Sequence, residues 1–583
     1  MLQTRFGPQI EEDGTRFRLW APAFPSMTLH VGEDAIPMDA GEDGWHEAFA
    51  PDAGHGARYA FAAPDGRRYP DPASRFQPEG VHGPSEVVDP ATLAPKPWEG
   101  RPWAETVIYE LHVGTFTPEG TFRAAIGKID HLAGLGVTAV EIMPVGAFPG
   151  RWGWGYDIAL PFATHAPYGR PEDLVALVDA AHERGLMVFM DVVYNHFGPE
   201  GAVLPQLAPP ALTDRHHTVW GPSLNFDGEG SANVRSYVCE NAEMWIRDFG
   251  MDGLRIDAAD NIIDDGDEHV LTLLARRARK AGGGRPVHLV LENDAMEPHR
   301  LRPDGPFDAQ WADDLHHCLH VAVTEESEGY YGAYTGRPHL LGRALAEGFA
   351  YQGETPKGRE GPRGAPSGHL PPGAFVAFLQ NHDQVGNRLL SERIHFDAEA
   401  EAVEAAMATV ILSPQVPLLF MGEEWATRSP FPFFCDFEGD LAEAVREGRA
   451  EEFSHFPGFV QAREAGTLPV PTDPETFRDA VLDWDRIGEE PHAGRLALTR
   501  DLLRIRAERI VPLLGGMTAG GEWDEIGGWG LHVRWPAGDR TLHLLSNLSP
   551  DPCPGRTPKG EVIWERGAAG EELAPWTTIF SVA

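Results

Sequence analysis

Four carboxylates in this chain stand at or just past the ends of apolar runs. Asp191 closes Leu-Met-Val-Phe-Met-Asp, Asp257 closes Gly-Leu-Arg-Ile-Asp, Glu292 closes Val-His-Leu-Val-Leu-Glu, and Asp383 follows Phe-Leu-Gln-Asn-His. One such residue alone reads as the N-cap of a following helix. Four gathered at one place would repel one another, so their recurrence beside His196 and His382 points to chemistry. Arg255 and Asp257 are two apart on an extended run and share a face. A guanidinium there would keep Asp257 ionised and aimed, as a carboxylate nucleophile needs. Glu292 follows the apolar run 287–291, which would desolvate it and raise its pKa, as suits a general acid. Two carboxylates of opposed ionisation, about 5–5.5 Å apart, are what a covalent route for breaking a glycosidic bond requires.

The elements that must position these groups follow from hydrophobic periodicity. From residue 106 the chain alternates apolar runs (106–113, 137–143, 186–191, 253–257, 287–292, 375–380, 416–421) with stretches of helical spacing such as 171–184, 233–249, 270–280 and 496–506. Such alternation implies parallel strands joined by crossover helices. About eight strands over roughly 400 residues favour a (β/α)8 barrel, whose strand ends converge on one rim where the active site forms. Before residue 95 the pattern is strict alternation, as in Arg16-Phe17-Arg18-Leu19, with a hairpin signal at Asp65-Gly66. That suggests a small β-sandwich. After 511 the chain returns to β character, with 531–535 and 541–545 joined through Gly538-Asp539. The expected fold is therefore α/β, divided into 1–98, 99–510 and 511–583. The Gly/Pro-rich stretch 353–373 is expected as a loop and 434–456 as an inserted helical piece.

Composition narrows the partners. Among 583 residues there are 48 Lys+Arg and 88 Asp+Glu, a net charge of −40. Such a field repels phosphate backbones and anionic lipid, so nucleic acid and membrane surfaces are excluded as partners, and a neutral ligand is indifferent to it. The 65 Gly and 51 Pro punctuate apolar runs, the pattern of a loop-rich globular enzyme and not of a disordered chain. Cys239, Cys318, Cys435 and Cys553 are too scattered for a disulfide framework or a CxxC metal site and read as reduced, buried thiols. No secretory signal and no bilayer-length apolar run is visible, so a cytoplasmic location is expected.

Asp191-Val-Val-Tyr-Asn195-His196, Gly253-Leu-Arg255-Ile-Asp257, Glu292 after its strand, and Asn381-His382-Asp383 resemble, in order and spacing, the four signature regions of the α-amylase-type glycoside hydrolases. The resemblance implies Asp257 as nucleophile, Glu292 as general acid/base, and Asp383 as the carboxylate that grips sugar hydroxyls. It also implies that Arg255, His196 and His382 orient these groups, that Tyr156 stacks under the sugar, and that Asp191 is mainly structural. Finer motifs are similar to one subfamily, the maltooligosyltrehalose trehalohydrolases: Trp152-Gly-Trp-Gly-Tyr-Asp157, Gln310-Trp-Ala-Asp-Asp-Leu-His-His317, Gln380-Asn-His-Asp-Gln-Val-Gly-Asn-Arg388 and Met421-Gly-Glu-Glu-Trp425 among them. This implies an N-terminal immunoglobulin-like, carbohydrate-binding-like sandwich and hydrolysis of the α-1,4 bond beside a trehalose end.

Asp157, Asp313, Asp314, His316, Arg388 and Glu423 are further candidates for sugar contact. Trp152, Trp154, Trp425 and Phe431, in Gly/Pro-rich segments after strands, could stack on sugar faces. Asp260 and Asn261 stand where many amylases carry a basic residue and His, a departure that fits a different acceptor. Neither the Asp313–His317 run nor Asn195 gives a convincing ligand set, so no metal and no cofactor is expected. The partner is an oligosaccharide, and the chain a monomer or weak homodimer. The rivals are a glucan branching or debranching enzyme of the same superfamily and, from another class, an inactive glucan-binding protein. A phosphate-handling barrel is disfavoured, because no Gly-rich phosphate loop follows the last strands.

Overall fold

The computed structural model describes residues 5–218 and 220–583. Eight parallel strands close into a barrel: β1 (Ile108–Leu111), β2 (Ala139–Ile142), β3 (Met187–Val192), β4 (Gly253–Ile256), β5 (His288–Leu291), β6 (Ala309–Trp311), β7 (Phe375–Phe378) and β8 (Val416–Phe420). β8 returns to pair with β1 through Ile108–Leu418 and Tyr109–Leu419, so the barrel has no free edge. Seven of these strands coincide with the apolar runs named above, β3 running one residue further to Val192. The eighth, β6, has three residues and a central Gln310, too short and too polar to show as an apolar run.

Period-two alternation divides each strand between two cores. Outward residues such as Tyr109, Val140, Val188, Leu254 and Leu289 join the large core beneath the surrounding helices. Inward residues Ile108, Ala139, Met187, Phe189, Val290, Ala309, Trp311, Val376, Phe378, Val416 and Leu418 form a second, fully buried cluster that plugs the barrel. On the same inward face, further along the strands, come Glu110, Glu141, Asp191 and Arg255, with Glu292 just past β5. The apolar plug thus ends in a layer of charge. Helices Pro171–His182 and Val270–Ala281 begin and stop where punctuation demands: Pro171 starts the first, and Gly282 caps the second.

Two antiparallel sheets precede the barrel, Gln9–Glu11/Gly14–Trp20/Trp45–Pro51/Asp39–Ala40 and Asp34–Pro37/Thr28–Val31/Arg58–Ala62/Arg68–Tyr69, and Ser85–Glu86 also pairs with Arg58–Ala62. Phe17 and Leu19 from one and Leu29, Tyr59 and Phe61 from the other share one core, as a sandwich requires. The Asp65-Gly66 hairpin is present, joining Arg58–Ala62 to Arg68–Tyr69. After the barrel comes an antiparallel sheet of β9 (Glu522–Gly527), β10 (Gly530–Ala537), β11 (Arg540–Asn547), β12 (Glu561–Arg566) and β13 (Thr577–Val582), in spatial order β9-β10-β11-β13-β12. Helix Gly439–Phe453 is the inserted piece expected within 434–456. All four cysteines are buried and free.

Candidate active site

Three of the four rim carboxylates converge on one cation. Arg255, buried at the end of β4, places Nη1 2.8 Å from Asp191 Oδ2 and 2.9 Å from Asp257 Oδ1, and Nη2 2.7 Å from Glu292 Oε2. The guanidinium also lies over the Trp311 ring, 4.1 Å from its centroid. The backbone makes this possible: β3 and β4 pair Asp191 with Arg255, and the chain leaves β4 through Ala258 in the left-handed region (φ 39°). That conformation costs an alanine roughly 1–2 kcal/mol. It turns the Ala258 N–H onto Glu292 Oε2 at 2.9 Å. Strain here aims a donor at the Glu292 carboxylate.

Two expectations about charge change. Arg255 does not serve Asp257 alone but is shared among three carboxylates. Burial pushes Asp257 well above the usual carboxylate range against the pull of Arg255, and nearby Glu292, Asp191 and Asp383 push in the same direction as burial. Glu292, expected to be desolvated by its apolar strand, instead has a side chain 25% exposed at the open rim, held by Arg255 and the Ala258 N–H. Strand β5 buries its own residues but ends before Glu292.

Asp383 follows β7 with its side chain 33% exposed, 3.4 Å from His382 Nε2, and accepts from Asn387 Nδ2 at 3.2 Å. His382 is buried, and its Nδ1 meets Glu110 Oε1 at 2.5 Å while its backbone N–H donates to Glu110 Oε2. Glu110 and Asp383 outweigh burial and raise the His382 imidazolium to about 9, so His382 is a cation at neutral pH. Glu110 was not singled out in the sequence. It lies in Tyr109-Glu-Leu-His, where a Glu inside a fully buried strand was the available signal. Beside it Glu141 is buried with neither carboxylate oxygen hydrogen-bonded among the described residues, and burial together with Glu110 and Asp191 pushes its pKa well above the usual carboxylate range.

Tyr156 donates to Asp191 Oδ2 at 2.6 Å and lies nearly parallel to the His382 ring, centroids 5.0 Å apart. His196 stacks on Trp220 at 4.9 Å, and burial lowers its pKa to about 4, leaving it neutral. The cleft above these groups has a volume of about 860 Å³ and is lined by Trp220, Asp260, Asn261, Glu292, Asp313, Tyr330, Arg359, Asp383, Gln384, Asn387, Glu452 and Phe456 among others. That volume suits an oligosaccharide segment. Asp313 belongs to it, with burial and Glu292 raising its carboxyl to about 8.

Several candidates lie elsewhere. Asp314 is fully buried and spends both oxygens on Tyr334, Arg363 and the backbone N–H groups of Ala350 and Tyr351. His316 bridges the Leu379 carbonyl and the Tyr331 hydroxyl. Arg388 is tied to Glu326 and Asp397, and Glu423 is buried and accepts from the Phe420 N–H. Asp157 sits half-buried behind the rim, its carboxyl raised to about 6 by burial, and does not line the cleft. None of these five side chains lines the cleft. Trp154, Trp425 and Phe431 are likewise core residues, and Trp152 is half-buried against Phe477. The most exposed aromatics lining the cleft are Trp220 (52% exposed) and Tyr330 (47%). Trp220 follows the run Asp-Arg-His-His-Thr-Val, polar but for its last residue, where no apolar periodicity calls for a core ring.

Among the described residues, Asp314 is paired with Arg363 and the Asn195 side-chain oxygen is taken by the His196 ring. His216, Asp227 and Asp265 do approach one another, but Arg215 already pairs with Asp227 at 2.9 Å.

The alpha-amylase catalytic domain family matches residues 69–223, a span that holds Tyr156, Asp191 and His196, and a domain of unknown function (DUF3459) matches 520–580. A malto-oligosyltrehalose trehalohydrolase of Deinococcus radiodurans is 45% identical over 565 residues, covering 94% of this chain and 90% of that protein. The chain belongs to the malto-oligosyltrehalose trehalohydrolase family. A trehalohydrolase of Arthrobacter ramosus is 42% identical over 85% of this chain and 87% of its own. A Salmonella typhimurium protein, solved by crystallography and provisionally called an alpha amylase, superposes with a TM-score of 0.95 at 42% identity, with full coverage of both chains. Membership makes the chain a glycoside hydrolase and accounts for the barrel with a β-sheet region on either side.

Proposed function

We propose that the chain cleaves the α-1,4 bond next to the trehalose end of a maltooligosyltrehalose, releasing trehalose and a maltooligosaccharide by a retaining route. Support comes from near-full-length identity to trehalohydrolases and, at the site, from Arg255 gathering Asp257 and Glu292 onto one guanidinium. In the first step the Asp257 carboxylate attacks the anomeric carbon. The bond to the leaving oxygen breaks, and Glu292 gives its proton to the departing trehalose. In the second, Glu292 takes a proton from water, whose oxygen displaces Asp257 and frees the maltooligosaccharide with its anomeric configuration retained.

Asp383 and the His382 cation would grip hydroxyls of the reacting sugar, and Tyr156 would lie beneath it. On the acceptor side Asp260, Asn261 and Asp313 would meet the two glucoses of trehalose. An uncharged substrate is compatible with a chain of net charge −40. The proposal includes action as a monomer or weak homodimer, and a cytoplasmic location, which four free buried thiols favour. Among the described residues no helix is long and apolar enough to cross a membrane.

The test compares initial rates on maltotriosyltrehalose and on maltopentaose. The trehalosyl substrate should be cleaved at least ten-fold faster, with free trehalose as product. Equal rates without trehalose, or formation of α-1,6 branches, would refute the assignment.

A further inference from the structure

The outer face of the C-terminal sheet holds a cavity of about 350 Å³, lined by Asp524, His532, Arg534, His543, Arg556 and Lys559 among others. Strand register assembles it. β10 pairs Arg534 with His543, and β11 pairs His543 with Ser581, so these side chains share the face opposite Leu531, Val533 and Trp535, which sit in the main core. The same outer face is covered further along by Cys553 and Leu573 packed on Leu545 and Ile579. The chain leaving that cover carries Arg556 and Lys559 over the polar half.

Three cations meet there in a chain whose net charge is −40. Asp524 accepts from Arg534 at 2.6 Å and Arg556 at 3.1 Å, and the exposed Glu522 sits 3.3 Å from Arg534. Lys559 has no ion-pair partner among the described residues, so one positive charge is unbalanced. A histidine relay adds a donor. The guanidiniums of Arg534 and Arg556 both approach His532 Nδ1, at 3.3 and 3.4 Å, and His532 Nε2 is 3.1 Å from His543 Nδ1. Burial, with Arg534, His543 and Arg556 alongside, lowers His532 to about 4, and burial with Lys559 also lowers His543, so both rings are neutral. His532 Nδ1 must then accept, its Nε2–H donates to His543, and the His543 proton lies on Nε2. That N–H has no hydrogen-bond partner among the described residues, and His543 lines the cavity.

We propose that this cavity binds a phosphomonoester of about monosaccharide size, with the phosphate on Arg556, Lys559 and the His543 Nε2–H. Guanidinium forks and a lysine point charge are the usual holders of phosphate, and the volume lies at the small-ligand end of the range for binding sites. Calorimetric titration of the full chain at pH 7 and low salt tests it, using glucose 1-phosphate, inorganic phosphate and glucose. Saturable one-site binding of glucose 1-phosphate is expected, at least ten-fold tighter than inorganic phosphate, with no heat from glucose. Arg556→Gln combined with Lys559→Gln should weaken it at least ten-fold while glycosidase kcat/KM and circular dichroism stay unchanged. Both side chains are largely exposed, so the variant should fold; His543→Gln, which removes the relayed donor, serves as a second variant and should weaken binding likewise. Absence of saturable binding, equal affinity for inorganic phosphate, or affinity unchanged in both variants would overturn the proposal.

Discussion

His382 and Asp257 set opposite limbs of the expected pH profile. In the proposed mechanism Asp257 attacks as the carboxylate, so its raised pKa places the acid limb above the ordinary carboxylate range, with activity lost as pH falls. His382 is raised to about 9 from an ordinary 6.5, so its contribution is complete below 6.5 and lost as pH rises through about 9. Glu110, 2.5 Å away, is the positioning residue that sustains that cation. Glu110→Gln should move the basic limb of kcat down by about one pH unit, equivalent to about 1.4 kcal/mol of lost preference for the charged ring. A merely structural Glu110 would lower kcat without moving the limb.

Trp220 and Tyr330 belong to the scale of elements. Trp220 lies in the turn joining Leu212–Thr218 to Gly221–Leu224, and Tyr330 lies in the Gly329–Ala333 turn. Trp220→Ala should raise KM about three- to ten-fold through lost ring contact, about 0.5–1.5 kcal/mol, with kcat within two-fold. A collapse of kcat would show instead that the ring holds His196 for the chemistry. At this scale the sequence was most legible where periodicity is enforced by burial on both faces, as in β3, β4 and β5. It was least legible at β6, where three residues carry no period, and in loops. Trp154 and Phe431 illustrate the loop difficulty: Gly and Pro around them signal irregular backbone, but whether a ring then faces sugar or core is decided by distant segments. Trp154 ends up stacked on Phe431, its indole N–H on the Pro432 carbonyl. Asp257, Glu292 and Asp383 could be placed together from the sequence because strand polarity alone sends them to one rim. Asp314, His316 and Glu423 could not be sorted, because their partners Arg363, Tyr331 and the Phe420 N–H come from elsewhere in the fold or from a turn whose geometry the sequence does not display.

For the whole molecule, the net charge of −40 acts as a field, and a neutral oligosaccharide does not respond to it. Raising salt from about 0.05 to 0.5 M, which shortens screening from more than 10 Å to a few Å, should therefore change kcat/KM by less than two-fold. A salt dependence of ten-fold or more would mean that the productive substrate is charged. The cationic cavity on the C-terminal sheet should behave oppositely and lose its ligand as salt rises. The barrel joins these scales: one inward face runs from an apolar plug to a buried charge layer and then to an open cleft. The central claim is that this rim releases trehalose with retention through Asp257. Proton NMR of maltotriosyltrehalose hydrolysis by the full chain tests it most directly. Trehalose and maltotriose whose first-formed reducing end is the α-anomer are predicted, with Asp257→Ala at least about 10⁴-fold slower. A β-anomer, products other than trehalose, or an Asp257→Ala variant near the parent rate would contradict it.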